Sequence, residues 1–245
     1  MARFLVEFQS KYLLRKTEVI VYVPTQNLQE TIRRTDKHYY ENNKDRKYPL
    51  LVLLSGFGGS KTAWEQKSTI CEYALEHNLA VALVGGENKW YMNFNPTDNW
   101  EDFLNIELPD FIYGNFSAIS SERPLYLAGC SMGGYGALRN YLLNINKYKA
   151  VGVFSPAIQP DNDLEGVLGV KRLKDIILET KDIKKNVYLS IGTKDFVYRQ
   201  SMEFDKFLEE CGCGFRYKSI EGYDHSYTLW DKECRSFIDY IEKLD

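Results

Sequence analysis

The sequence predicts an α/β protein, with one mostly parallel sheet and helices packed on both of its faces. Short apolar runs such as "LLVLLSG" (50–56) alternate with stretches of helical periodicity along all 245 residues. That order pairs strands in parallel through helical crossovers. The runs also lack polar alternation, as strands covered on both sides do. No repeat, low-complexity tract or Pro/Gly linker divides the chain, and its length suffices for one large core. Residues 1–245 are therefore expected to form a single domain.

The elements follow in order. "TEVIVYVP" (17–24) alternates like a half-buried strand and is expected to pair with the segment before it through a turn near Ser10 and Lys11. The charged stretch 25–47 reads as a surface insertion, with a short helix around Leu28 to Thr35. After the strand at 50–56, "TAWEQKSTICEYALEHN" places Trp64, Ile70, Tyr73, Ala74 and His77 at helical spacing. "LAVALVGG" is a buried strand, and "WEDFLNIELPDFIYGNF" is an amphipathic helix expected to be interrupted by Pro109. "PLYLAG", "AVGVFSP", "NVYLSIG" and "FRYKSIEG" complete the strands. Helices are expected at "GGYGALRNYLLNIN", "LKDIILETK", "SMEFDKFLEECG" (closed by Gly212) and "LWDKECRSFIDYIEKL".

Composition removes several function classes. A net charge of −3 gives no reason to expect a nucleic-acid partner. Five cysteines, an odd number, do not suggest a disulfide framework. Cys211 and Cys213 in "CGCG" lack neighbouring Cys or His residues to complete a metal site and are expected to form a plain turn, so no metal is expected. No segment has the apolar length of a membrane span. "MARFLVEFQSKYLL" has polar interruptions where a signal peptide needs an apolar run. The expected location is cytoplasmic.

"GCSMG" (129–133) fits G-x-S-x-G between a predicted strand and a predicted helix. A serine at such a sharp turn points its hydroxyl away from the sheet, and the flanking glycines let strand and helix approach closely. The turn also aims the Met132 N–H toward the oxygen of an attacked carbonyl, at the positive end of the following helix. Small residues recur in inert turns as well, so the motif acquires meaning from its place between strand and helix.

Ser131 needs a base. His38 lies in the charged insertion and His77 near a helix C-terminus, where a cation suits the dipole. His225, in the loop between the last strand and the last helix, shares the sheet edge of Ser131 and is the candidate. Asp195 in "LSIGTKDF" is the candidate acid, with Asp161, Asp163 and Asp224 as rivals. The order Ser, Asp, His is that of α/β-hydrolases. The glycine-rich "LLSGFGGSKTAW" (53–64) supplies a second oxyanion donor, the Phe57 N–H or alternatively that of Gly58.

The motifs "LLSGFGG", "GCSMGGYGAL", "IGTKDF", "GYDHSYTLWDK", "NKWYMNFN" and "FLNIELPDFI" resemble the esterase D-like branch of the α/β-hydrolases. That branch includes tributyrin esterases, S-formylglutathione hydrolases, feruloyl and acetyl-xylan esterases, and mycolyltransferases. The resemblance spans most of the chain. It implies a serine esterase without cofactor, acting on a small-molecule ester, with Phe57, Gly58, Trp90 and Tyr91 at the substrate pocket.

Ser55-Gly56 stands where many relatives have His-Gly, as in S-formylglutathione hydrolases, whereas "SGFGGS" and "GTKDFVYRQSMEF" lean toward tributyrin esterases. A short-chain carboxylesterase is the expectation, with thioester or carbohydrate and feruloyl ester cleavage as alternatives. Acyl transfer to another acceptor, a catalytically inactive binding protein and a homo-oligomer also stay open.

Overall fold

The strands lie in one eight-stranded sheet in the computed structural model, which describes residues 1–33, 36–158, 171–180 and 186–244. β1 (Ala2–Gln9) and β2 (Lys16–Val23) form an antiparallel pair in the register Ala2↔Val23 to Gln9↔Lys16. The turn between them is closed by Ser10 N–H donating to the Arg15 carbonyl, as the sequence leads one to expect. Glu107 accepts from the Ser10 hydroxyl and the Lys11 N–H, tying this turn to a helix far along the chain.

The charged insertion carries α1 (Leu28–Arg33) and α2 (Tyr39–Asn42). Asn27 and Glu30 open α1 reciprocally: Asn27 Oδ1 accepts the Glu30 N–H at 2.9 Å and Glu30 Oε2 the Asn27 N–H at 2.8 Å. β3 (Leu50–Leu54) and β4 (Ala80–Val84) are buried at every position, which explains their lack of polar alternation.

Between them the single helix expected at 62–78 is two: α3 (Ala63–Lys67) and α4 (Ile70–Glu76). Ser68 is extended (φ −145°, ψ 168°) and its hydroxyl bonds back to the Trp64 carbonyl. Thr69 turns its N–H and hydroxyl to Asp231 instead. Short polar side chains thus offer the backbone an alternative to helix. Trp64, Ile70 and Ala74 still face the core.

The segment around Pro109 also departs from expectation, because it stays helical through the proline. α5 (Trp100–Asp102) leads into a π turn (Phe103–Glu107) and then α6 (Leu108–Asn115). Proline has no N–H for the carbonyl four residues back. That carbonyl, on Asn105, is met by the Lys147 ammonium.

β5 (Leu125–Cys130), α7 (Met132–Leu143), β6 (Ala150–Phe154), α8 (Leu173–Glu179), β7 (Val187–Gly192), α9 (Tyr198–Glu210), β8 (Tyr217–Ile220) and α10 (Tyr227–Glu242) follow. Gly212, at φ +70°, closes α9, with its own N–H and that of Cys213 returning to carbonyls of the last turn. β3 through β8 pair in parallel and β2 joins β4 antiparallel, which gives the sheet order β1-β2-β4-β3-β5-β6-β7-β8. One buried cluster lies on each face of the sheet: Tyr135, Leu138 and Leu104 on one, Trp64, Phe237 and Ile238 on the other. Each expected strand is present. No helix among the described residues is long and apolar enough to cross a membrane.

Candidate active site

Ser131 occupies the step between β5 and α7 with φ 54° and ψ −118°, a conformation costly for any residue with a Cβ. The step is held from both sides. The Ser131 N–H donates to the Phe154 carbonyl, and the Ser131 carbonyl accepts from Tyr135 and Ala157. A Cβ on Gly129 would stand 2.3 Å from the Gly133 carbonyl oxygen, and one on Gly133 would stand 2.6 Å from that of Leu54. Both glycines of the motif are therefore steric requirements of the crossing.

The acid and histidine loops meet because the ends of β7 and β8 are stitched together. Lys194 N–H donates to the Tyr223 carbonyl, and Gly222 N–H donates to the Thr193 hydroxyl. Gly192 lies so close to Tyr223 that a Cβ would reach within 2.1 Å of its carbonyl oxygen. Asp195, fully buried at its carboxylate, also accepts the Val197 N–H at 2.9 Å.

His225 Nδ1 stands 2.9 Å from both carboxylate oxygens of Asp195, and its Nε2 stands 3.0 Å from Ser131 Oγ. The three predicted side chains thus form one continuous hydrogen-bonded chain. Asp224 is exposed and pairs with nothing on the ring; Asp161 and Asp163 lie outside the described residues. His38 and His77 sit elsewhere, beside Glu41 and Glu242.

Two aromatic partners of the histidine went unnoticed in the sequence. The His225 ring lies between Phe196, at 4.3 Å, and Trp230, at 4.9 Å and edge-on. Trp230 is oriented by donating its indole N–H to Ser155 Oγ at 3.0 Å. The available signal was position alone: Phe196 adjoins the acid, and Trp230 lies one helical turn past the histidine.

The loop after β3 packs directly on the serine, since a Cβ on Gly56 would lie 3.2 Å from Ser131 Cβ. Met132 opens α7, so its N–H has no partner within the helix. The Phe57 N–H donates no hydrogen bond among the described residues. The Gly58 N–H, the alternative donor, is occupied by Asn88 Oδ1 at 2.7 Å.

An open cleft of about 840 Å³ adjoins the histidine, bordered by Phe57, Ser226, Tyr227 and Trp230. Trp90 is half-buried beside Phe57, with ring centroids 6.2 Å apart. Tyr91, expected as a pocket wall, is fully buried instead. Its ring fills the space over Gly86 and Gly136, and its hydroxyl donates to the Ser55 carbonyl at 2.9 Å. Burial pushes its phenol well above the ordinary range. Cys130, beside the nucleophile position, is fully buried and its thiol is pushed up to about 12 by that burial. Among the described residues, no three His, Cys, Asp or Glu side chains are gathered as a metal site.

A mostly parallel eight-stranded sheet with a serine, histidine and aspartate joined at one edge defines the class of this protein, the α/β-hydrolases. Residues 10–241 match the family described as "Putative esterase", and the chain belongs to that family. It is similar to the acetyl esterase of Caldicellulosiruptor saccharolyticus, 24% identical with 100% of this chain and 99% of that protein covered. The S-formylglutathione hydrolase of Arabidopsis thaliana is 31% identical, covering 76% of this chain and 78% of its own. Among solved structures, the fluorophosphonate-binding serine hydrolase F of Staphylococcus aureus superposes with a TM-score of 0.76 at 20% identity, covering 100% of this chain and 98% of that one. The protein is a carboxylesterase.

Proposed function

We propose that the chain hydrolyses short-chain carboxylic esters by acyl transfer through Ser131. His225 Nδ1–H donates to Asp195, which leaves Nε2 as the acceptor of the Ser131 hydroxyl proton. Ser131 Oγ attacks the ester carbonyl as that proton moves to Nε2, and the new oxyanion receives the N–H groups of Phe57 and Met132. The imidazolium, stabilised by Asp195, returns the proton to the departing alcohol. Water deprotonated by the same nitrogen then releases the acid from the acyl-enzyme.

The observation that carries this reading is the unbroken sequence of contacts, 3.0 Å from serine to histidine and 2.9 Å from histidine to aspartate. The full-length similarity to an acetyl esterase supports a small acyl group. Ser131→Ala is expected to remain folded and to lose p-nitrophenyl acetate hydrolysis together with fluorophosphonate labelling. Wild-type turnover in that variant would refute the scheme.

A second reading, thioester cleavage, is favoured by the 31% identity to an S-formylglutathione hydrolase. It uses the same groups with a thiolate as leaving group. Comparing kcat/KM for acetyl, butyryl, longer acyl, feruloyl and S-formylglutathione substrates separates the two.

A further inference from the structure

The loop after β4 holds four non-glycine residues at positive φ within five positions: Glu87 (48°), Asn88 (60°), Trp90 (53°) and Tyr91 (56°). Such backbone persists only where its surroundings impose it. Here Arg15 pairs with Glu87 at 2.6 Å and with Asp98 at 3.2 Å, and Lys89 reaches Asp98 at 3.4 Å. The buried Tyr91 ring anchors the far end.

The strained loop hydrogen-bonds to the backbone of the oxyanion loop at two points. Tyr91 OH donates to the Ser55 carbonyl, which holds the peptide plane joining residues 55 and 56. Asn88 Oδ1 accepts the Gly58 N–H at 2.7 Å, which holds the plane joining 57 and 58. The plane between them carries the Phe57 N–H, and its carbonyl, on Gly56, accepts from Gly59. Gly58 itself is at φ +71° with nothing near its Cβ position, so packing does not orient it.

We propose that Asn88 is a positioning residue of the oxyanion hole. By occupying the Gly58 N–H it fixes the adjacent peptide, so that the Phe57 N–H alone faces the oxygen developing at the substrate carbonyl. The inference rests on the serine reading above. Asparagine suits the position because it tolerates left-handed backbone and also supplies an acceptor.

The test uses substitutions that leave the backbone undisturbed. Asn88→Gly accommodates the positive φ and removes the acceptor; Asn88→Asp keeps both. Deleting an oxyanion donor outright costs about 10²–10³ in turnover, and misorienting one is expected to cost about tenfold. For Asn88→Gly, kcat on p-nitrophenyl acetate should fall about tenfold with KM nearly unchanged. Its affinity for a trifluoromethyl ketone, which forms a tetrahedral adduct with the serine, should fall by a similar factor. Asn88→Asp should recover most of both losses. Wild-type kcat and inhibitor affinity in Asn88→Gly, or an equal loss in Asn88→Gly and Asn88→Asp, would overturn the proposal. A fully active Ser131→Ala would instead refute the serine reading itself, a result distinct from either outcome at residue 88.

Discussion

Asp195 illustrates how one residue can be both a structural and a chemical element. Its buried carboxylate accepts the Val197 N–H and stands 2.9 Å from His225 Nδ1, so it holds its own loop in shape and, in the proposed mechanism, selects the histidine tautomer. Asp195→Asn preserves size but presents an amide that favours the wrong tautomer. It is expected to lower kcat on p-nitrophenyl acetate by about 10³–10⁴ with the far-UV circular dichroism unchanged. A loss smaller than tenfold would show that the histidine is held by other groups, for instance Phe196 and Trp230.

At the scale of elements, the N-terminal hairpin is fastened to α3 by charge. Glu65 accepts two hydrogen bonds from the Arg3 guanidinium, at 2.8 and 3.0 Å, and one from the Tyr22 hydroxyl at 2.6 Å. The Arg3 bonds above all hold its carboxyl below the ordinary 4.5, against the opposing effect of burial. A carboxylate with a depressed folded-state pKa adds stability above its unfolded-state value and loses it as pH falls through the folded-state value. Glu65→Gln is therefore expected to be less stable than wild type at neutral pH, by about 1 kcal/mol or less given the exposure of Arg3. The difference should shrink below about pH 4.5. Urea denaturation midpoints of both proteins between pH 3 and 7 measure this, and a gap that does not change with pH would contradict it.

The helix that follows Ser131, α7, is fastened by the ion pair of its Arg139 with Glu101 and by buried neutral groups. Asn140 donates to the Tyr91 and Gly136 carbonyls and accepts from Asn105 in the π turn. Tyr148 completes the set by donating to Asn105. The π turn before Pro109 is thus where helix and site are joined. Proline in the sequence marked the place correctly but implied a break in the helix, because the Lys147 ammonium that meets the freed carbonyl comes from a distant loop.

Over the whole molecule, the sheet is continuous from β1 to β8 and both faces are covered. Strands β3, β5, β7 and β8 each deliver one loop of the site to the same edge, so the site depends on the sheet staying intact. One cooperative thermal transition is expected, with near-UV and far-UV circular dichroism coinciding. Two separated transitions would show that residues 1–245 contain independently folding parts.

The sequence by itself determined what depends on neighbours along the chain. The strand and helix periods, the strained serine turn demanded by its glycines, and the order serine, aspartate, histidine are all local patterns. Ser68 and Thr69, by contrast, broke a helix whose apolar spacing was correct, since spacing does not register the pull of Asp231. Only the tertiary structure decided the convergence of a serine and a histidine 94 residues apart. It also decided that Gly58 rather than Phe57 donates to Asn88, and that Tyr91 is a buried brace rather than a wall. Such outcomes depend on which peptide planes and rings share the same space after packing, and periodicity carries no information about that.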